Sequence, residues 1–178
     1  MKLIVALLFA GTLALPVRSS AAILADACGD DKTIFDVKTE KDQPPPAPPD
    51  TGSAQIVFIE EFDHGPGFCV ECDVTTRIGV DGNWVGANRG NSYFAYTVTP
   101  GLHHLCGNWQ SKVGDLRKKV GLASVNAEAG KVYYFGIKVR ERQYKTGMVY
   151  ELSVAALDED EGKYLMKVSA LAAAAAKK

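Results

Sequence analysis

Apolar and polar residues alternate along most of the chain beyond residue 53, and this pattern predicts β-strands. Residues 54–59 are apolar at almost every position, which is typical of a strand covered on both faces. Residues 74–81 alternate strictly, which indicates a strand with one buried face. A return strand is expected to begin at Trp84. Further strands are expected at 93–99, 102–109, 122–127, 132–139 and 148–157.

Turn-forming residues separate these strands at the spacing of hairpins. Asp81-Gly82 accepts the positive φ of a two-residue hairpin turn. Pro100-Gly101 presets the first turn position and supplies a positive φ at the second. About seven or eight short strands at this spacing predict a mainly β fold, an antiparallel β-sandwich of the immunoglobulin-like or transthyretin-like kind.

A helix is expected after the last strand. The acidic run 158–161 suits the N-terminal end of a helix dipole, and apolar residues follow at helical spacing. These apolar residues are Tyr164, Leu165, Val168 and Leu171. The alanines at 172–176 are expected to extend this helix or to fray from it. A calcium site is the other interpretation of the acids, but they lack the alternating ligand spacing of an EF-hand loop.

The first 22 residues have the pattern of a secretory signal peptide. Lys2 is followed by an uncharged apolar run over residues 3–15, and Ser20-Ala21-Ala22 offers a cleavage site. The apolar run is about half the ~20 residues that a membrane-spanning helix needs. Cleavage after Ala22 is therefore expected. Lipidation at Cys28, in the lipobox-like sequence 25–28, is the alternative.

A proline-rich stretch at residues 43–49 divides the exported chain. Proline fixes φ and donates no backbone hydrogen bond, so this stretch is expected to form an extended, semi-rigid spacer. The chain is predicted to have five parts: a signal peptide at 1–22, an N-terminal segment at 23–42, a linker at 43–52, a β-sandwich domain with its helix at 53–171 and a tail at 172–178. Phe35 and Val37, in the N-terminal segment, form a short strand or pack on the domain.

Charge argues against two classes of partner. The chain beyond Ala22 carries 18 basic and 21 acidic residues, a formal charge of −3. Nucleic acids and anionic membranes both require a basic surface, so neither is an expected partner. About 150 residues are enough for a single domain with a substantial core.

Three segments carry a resemblance to a known family. They are residues 80–94 (VDGNWVGANRGNSYF), 99–105 (TPGLHHL) and 127–135 (AEAGKVYYF). Over residues 52–170 the chain resembles the bacterial family catalogued as domain of unknown function 2846, and it is similar to PEGA-type surface domains. The resemblance implies an exported or lipid-anchored envelope protein with a small β-sandwich and no established enzyme activity. The insertion Cys69-Val70-Glu71-Cys72 departs from the family pattern.

The polar loop within the first of these segments is a candidate recognition surface. It contains Asn88, Arg89, Asn91 and Ser92 beside aromatic residues. Loops held by a rigid sheet commonly carry binding. The same residues also suit a purely structural turn, and this interpretation is the favoured one.

The four cysteines allow three disulfide connectivities, and we favour Cys28–Cys106 with Cys69–Cys72. Two other interpretations remain open. Cys69, Cys72 and Cys106 with His104, which shares a strand face with Cys106, could form a zinc site. Cys69 and Cys72 alone could form a redox pair, although Gly65-Pro66-Gly67 before them favours a loop over the helix N-terminus that such chemistry requires.

No nucleophile motif, phosphate-binding loop or paired-carboxylate arrangement is recognisable in the sequence. We therefore predict an exported, periplasmic or envelope-associated, non-catalytic binding or structural module that uses no cofactor. Its expected partner is an envelope component, either a protein or a glycan. The alternative is a thiol-redox or zinc-binding protein that uses Cys69 and Cys72.

Overall fold

A computed structural model describes residues 28–30, 32–62, 74–111, 116, 118–144 and 147–177. Only the backbone is described at residue 62 and at residues 139–144 and 147–149. The predicted signal peptide, His64, Cys69 and Cys72 lie outside the described residues. Within the described part of the chain, no helix is both long and apolar enough to cross a membrane.

The described chain forms ten strands and one α-helix. The strands are β1 (Phe35–Glu40), β2 (Ala54–Phe62), β3 (Thr75–Val80), β4 (Asn83–Arg89), β5 (Ser92–Val98), β6 (Gly101–Trp109), β7 (Val120–Ala127), β8 (Val132–Tyr144), β9 (Gly147–Leu157) and β10 (Ala170–Ala176), and the helix is α1 (Glu159–Val168). They make a six-stranded sheet of order β1-β10-β5-β2-β8-β9 and a four-stranded sheet of order β4-β3-β6-β7.

The two sheets share one hydrophobic core. Ile56 and Phe58 of β2 and Ile137 of β8 contribute from the six-stranded sheet, and Ile78 of β3 and Leu105 of β6 contribute from the four-stranded sheet. All five side chains are fully buried. The mainly β prediction is therefore confirmed, and the predicted strand positions agree with β2 to β9.

Two features of the sheets differ from the prediction. The six-stranded sheet is mixed, because β2 pairs in parallel with β8 and β10 pairs in parallel with β5. The described residues also contain ten strands where about seven or eight were expected. Hairpin spacing identifies the strands but does not show that β7 and β8, which are adjacent in sequence, belong to different sheets.

The predicted start of the C-terminal helix is confirmed, but its predicted end is wrong. Asp158 caps α1, its side chain accepting from the backbone N of Glu161 at 2.8 Å, and acids occupy the first turn. The helix ends at Val168, however, and Ser169 is already extended at ψ 159°. Leu171 and the alanines that follow form β10, because pairing with β1 and β5 outweighs the helix propensity of alanine.

The proline-rich stretch lies against the domain. Pro46 and Pro49 are half-buried while the prolines between and before them are exposed. A polyproline helix has three residues per turn, so Pro46 and Pro49 lie on the same face. The side chain of Gln55 donates to the Ala47 carbonyl at 3.3 Å and fastens the stretch to β2.

Candidate functional site

Residues 28–30 and 32–40, hereafter the N-terminal arm, lie across the outer face of the four-stranded sheet and lead into β1. A disulfide joins Cys28 to Cys106 of β6 across 78 residues, as predicted. Both cysteines are buried, and they pack with Trp84 and Val120. A Cβ on Gly29 would lie 2.5 Å from Cδ1 of Trp84, so the arm docks closely because this residue has no side chain.

Side chains of the sheet hold the arm through its backbone. The indole nitrogen of Trp84 donates to the Asp30 carbonyl at 2.7 Å, and Arg77 Nη1 donates to the Thr33 carbonyl at 2.9 Å. The amide of Gln110 makes two bonds to one residue: its oxygen accepts from the Phe35 nitrogen at 2.6 Å, and its nitrogen donates to the Phe35 carbonyl at 2.8 Å. The arm is therefore recognised as an extended main chain.

Arg77 lies at the centre of this contact and is almost completely buried, at 3% exposure. Its guanidinium carbon is 4.5 Å from the centre of the Trp84 ring, a cation–π distance. Its Nε and Nη2 donate to Asn108 Oδ1. Asn108 in turn donates to the Lys119 carbonyl at 2.9 Å. The alternation in sequence predicted that β3 has one buried face, but both of its faces are buried. The arm covers the outer face.

The predicted recognition loop connects the two sheets. Asn88 and Ser92 are fully buried. Asn88 Nδ2 donates to the carbonyls of Phe58 and Ser92 at 3.1 and 3.0 Å, and the Ser92 hydroxyl accepts from the Arg89 nitrogen at 3.0 Å. Arg89 is half-buried, while Asn91 is exposed and its carbonyl accepts from Ala170 at 3.1 Å. These contacts agree with the interpretation as a structural turn between β4 and β5.

Asp81 and His103 form a hydrogen-bonded pair that the sequence analysis missed. Asp81 has φ 51°, the positive value expected of the Asp-Gly turn. Its Oδ2 lies 2.6 Å from His103 Nδ1, and its Oδ1 accepts from the His104 backbone nitrogen at 2.8 Å. His103 Nε2 lies 2.7 Å from the Thr99 carbonyl. Both residues lie in the segments that carry the family resemblance, and pairing of β3 with β6 brings them together.

This pair favours a charged histidine. Burial is the largest influence on the pKa of His103 and acts to lower it, but the hydrogen bonds to Asp81 and Thr99 and the charge of Asp81 outweigh it, so the pKa is raised. Burial likewise acts to raise the pKa of Asp81, but its bonds to His103 and His104 outweigh it, so the pKa is lowered. Both ring nitrogens of His103 are engaged, which makes it a structural group.

A groove of about 360 Å³ opens where β7, β8, β9 and the start of α1 meet. Its volume lies at the lower end of the range for ligand sites, about 300 to 1,000 Å³. Aromatic and polar side chains line it, among them Tyr133, Tyr134, Ser124, Asn126 and Glu159. Burial raises the pKa of Tyr134, which lies beneath Gly162 of the helix. The groove is a concave surface with hydrogen-bonding groups at its edge.

Comparison with known proteins adds no relative. No protein-family model, curated protein or solved structure matches this chain.

The cysteine contacts limit the metal interpretation. Cys106 Sγ is bonded to Cys28, so it cannot serve as a thiolate in the alternative zinc set. The same bond occupies the Cys28 sulfur that lipidation would require. Among the described residues, no group of three or more His, Cys, Asp and Glu side chains is arranged to hold a metal ion. The pairing of Cys69 with Cys72 lies outside the described residues and stays a prediction.

Proposed function

We propose that the protein is exported to the bacterial cell envelope and works there as a non-catalytic binding or structural module. The observation that carries this proposal is the Cys28–Cys106 disulfide, which begins six residues after the expected cleavage site and fastens the arm to the sheet. Disulfides persist in the periplasm and outside cells, and they are rare in the reducing cytosol. The disulfide therefore supports export of the folded chain.

The polar groups in the described domain support a structural or binding role over catalysis. His103, the best-placed acid–base candidate, has both ring nitrogens engaged within the fold. Asn88 and Asn108 make bonds that connect strands. The fold we propose is an immunoglobulin-like or transthyretin-like sandwich of the kind implied by the resemblance to domain of unknown function 2846.

Export is tested by expressing the whole chain with its own leader in a bacterial host. We expect the protein in the periplasmic fraction, a mature N-terminus at Ile23 and a Cys28–Cys106 peptide pair in the non-reduced peptide map. Cytosolic protein with both thiols reduced would contradict the proposal. A diacylglyceryl group on Cys28 would make the protein a lipoprotein and remove the disulfide on which the proposal rests.

Binding is tested at the groove. The mature protein is used to capture envelope proteins and envelope glycan fragments, beside Asn126→Trp, which fills the groove, and Lys38→Trp, a control on the exposed side of β1. We expect a partner that the native chain and Lys38→Trp capture and Asn126→Trp does not. Capture that is equal for all three would exclude the groove. Bound zinc or dithiol-reductase activity in the same sample would favour the alternative based on Cys69 and Cys72.

A further inference from the structure

The site that holds the N-terminal arm binds its main chain and buries the side chains of Cys28, Phe35 and Val37. Trp84, Arg77 and Gln110 bond only to main-chain atoms of residues 30, 33 and 35 in the four hydrogen bonds described above. The β1–β10 ladder adds six more residue pairs of main-chain type. Such a surface accepts an extended segment through its backbone, as sheets do when they bind an added strand.

The polar contacts of the arm all reach parts of the sequence that are distant from it. The bonds from Arg77, Trp84 and Gln110 span 44, 54 and 75 residues, and the disulfide spans 78. Those contacts depend on the position of the arm and not on which chain supplies it. A second copy of the protein offers the same arm and the same surface, so every bond can be reproduced between copies.

The connection between the arm and the rest of the domain is strained at one residue. Asp42 has φ 57°, in the left-handed region that glycine adopts freely and that aspartate, although more tolerant than most residues, adopts at some cost. Gln43 precedes Pro44, which restricts it to extended backbone. The prolines beyond are fastened through Ala47 to Gln55. A strained hinge favours exchange of segments between copies, because the strain is released when the connection opens.

We propose that the N-terminal arm exchanges between two copies of this chain, each arm docking on the Arg77–Trp84–Gln110 surface of the other. Asp42 is the hinge. In the exchanged dimer, Cys28 of each copy forms its disulfide with Cys106 of the other. Each bond formed removes two protons and two electrons from two thiols, and oxidised glutathione accepts them to become two molecules of glutathione.

Exchange is tested by refolding a mixture of isotope-labelled and unlabelled mature chains with oxidised and reduced glutathione. The experiment covers protein concentrations up to about 1 mM, the effective concentration typical of an arm on a short linker. Non-reducing digestion and mass spectrometry then identify each Cys28–Cys106 peptide pair. We expect mixed labelled–unlabelled pairs whose share rises with concentration, together with a disulfide-linked dimer on a non-reducing gel. Pairs that come only from single chains at every concentration would overturn the proposal.

The hinge is tested with a matched pair of variants. Asp42→Gly permits the positive φ without strain and should lower the share of mixed pairs at a given concentration. Lys41→Gly adds similar flexibility one residue earlier, at a position without a positive φ, and should lower it less. Equal shares in the native chain and Asp42→Gly would overturn the assignment of the hinge.

Discussion

The hydrogen bond between Asp81 and His103 connects the β3–β4 turn to β6, and its strength depends on the protonation of His103. The folded-state pKa of His103 lies above its ordinary value of 6.5, so its stabilising contribution is complete below that pH. It is lost as the pH rises through the raised pKa, because the folded state then gives up a proton that it holds more tightly than the unfolded chain. The pKa of Asp81 is lowered from 3.8, so its contribution is present above that value and is lost only as the pH falls through the lowered pKa.

We therefore expect the free energy of unfolding to fall as the pH is raised above about 6.5. His103→Gln should remove most of this fall. His104→Gln, on the exposed side of the same strand, is the matched control and should keep it. Urea unfolding at a series of pH values measures the effect. An unchanged slope in His103→Gln would show that another group is responsible.

A substitution at Asn88 tests whether the segment between β4 and β5 is a structural turn or a recognition loop. Its Nδ2 donates to the carbonyls of Phe58 and Ser92, and the side chain is fully buried. Asn88→Ala removes this buried donor from both carbonyls and should lower the free energy of unfolding by about 1 to 3 kcal/mol. Asn126→Ala, at an exposed position, should change it by less than about 0.5 kcal/mol. Similar values for the two variants would contradict the structural role.

At the scale of elements, β10 is the clearest conflict between local preference and tertiary structure. Five successive alanines predict helix, yet they pair with β1 as part of the six-stranded sheet. Ala173 is exposed on this strand. Ala173→Thr should therefore raise the free energy of unfolding by a few tenths to about 1 kcal/mol, because β-branched residues favour strands. A decrease on urea unfolding would indicate that this segment is helical, where threonine is less favourable than alanine.

The sequence predicts elements well where alternation and turn residues act locally. The turn at Asp81-Gly82 has the expected positive φ at both residues. Partners that are distant in sequence are not predictable in this way. Nothing local in residues 132–139 shows that they pair in parallel with β2, and nothing near Arg77 shows that the arm will cover it. The Asp81–His103 pair could have been found by aligning the strands on either side of the predicted turns, since β3 and β6 are register partners.

At the scale of the whole molecule, the N-terminal segment belongs to the same folded unit as the sheets. Phe35 and Val37 of β1 are buried in a cluster with Ala87 and Ala172. The segment contributes through its disulfide, its backbone bonds to the sheet and this buried cluster. The loss of the bridge alone and the loss of the whole arm should therefore have different consequences.

Cys28→Ser with Cys106→Ser removes only the bridge. For a closed loop of this length, the chain-entropy treatment gives a cost of about 4 to 5 kcal/mol. A chain that begins at Asp50 loses the same bridge and also the burial of Phe35 and Val37, at about 1.5 to 3 kcal/mol each. The cost of losing the bridge and these two buried side chains together approaches the total stability of a typical domain, about 5 to 15 kcal/mol.

In urea, the truncated chain should unfold at a clearly lower midpoint than the double serine variant. A chain that begins at Cys28 is the matched control and should have the same urea midpoint as the full mature protein. Equal midpoints for the truncated chain and the double variant would mean that the arm stabilises the domain through its disulfide alone.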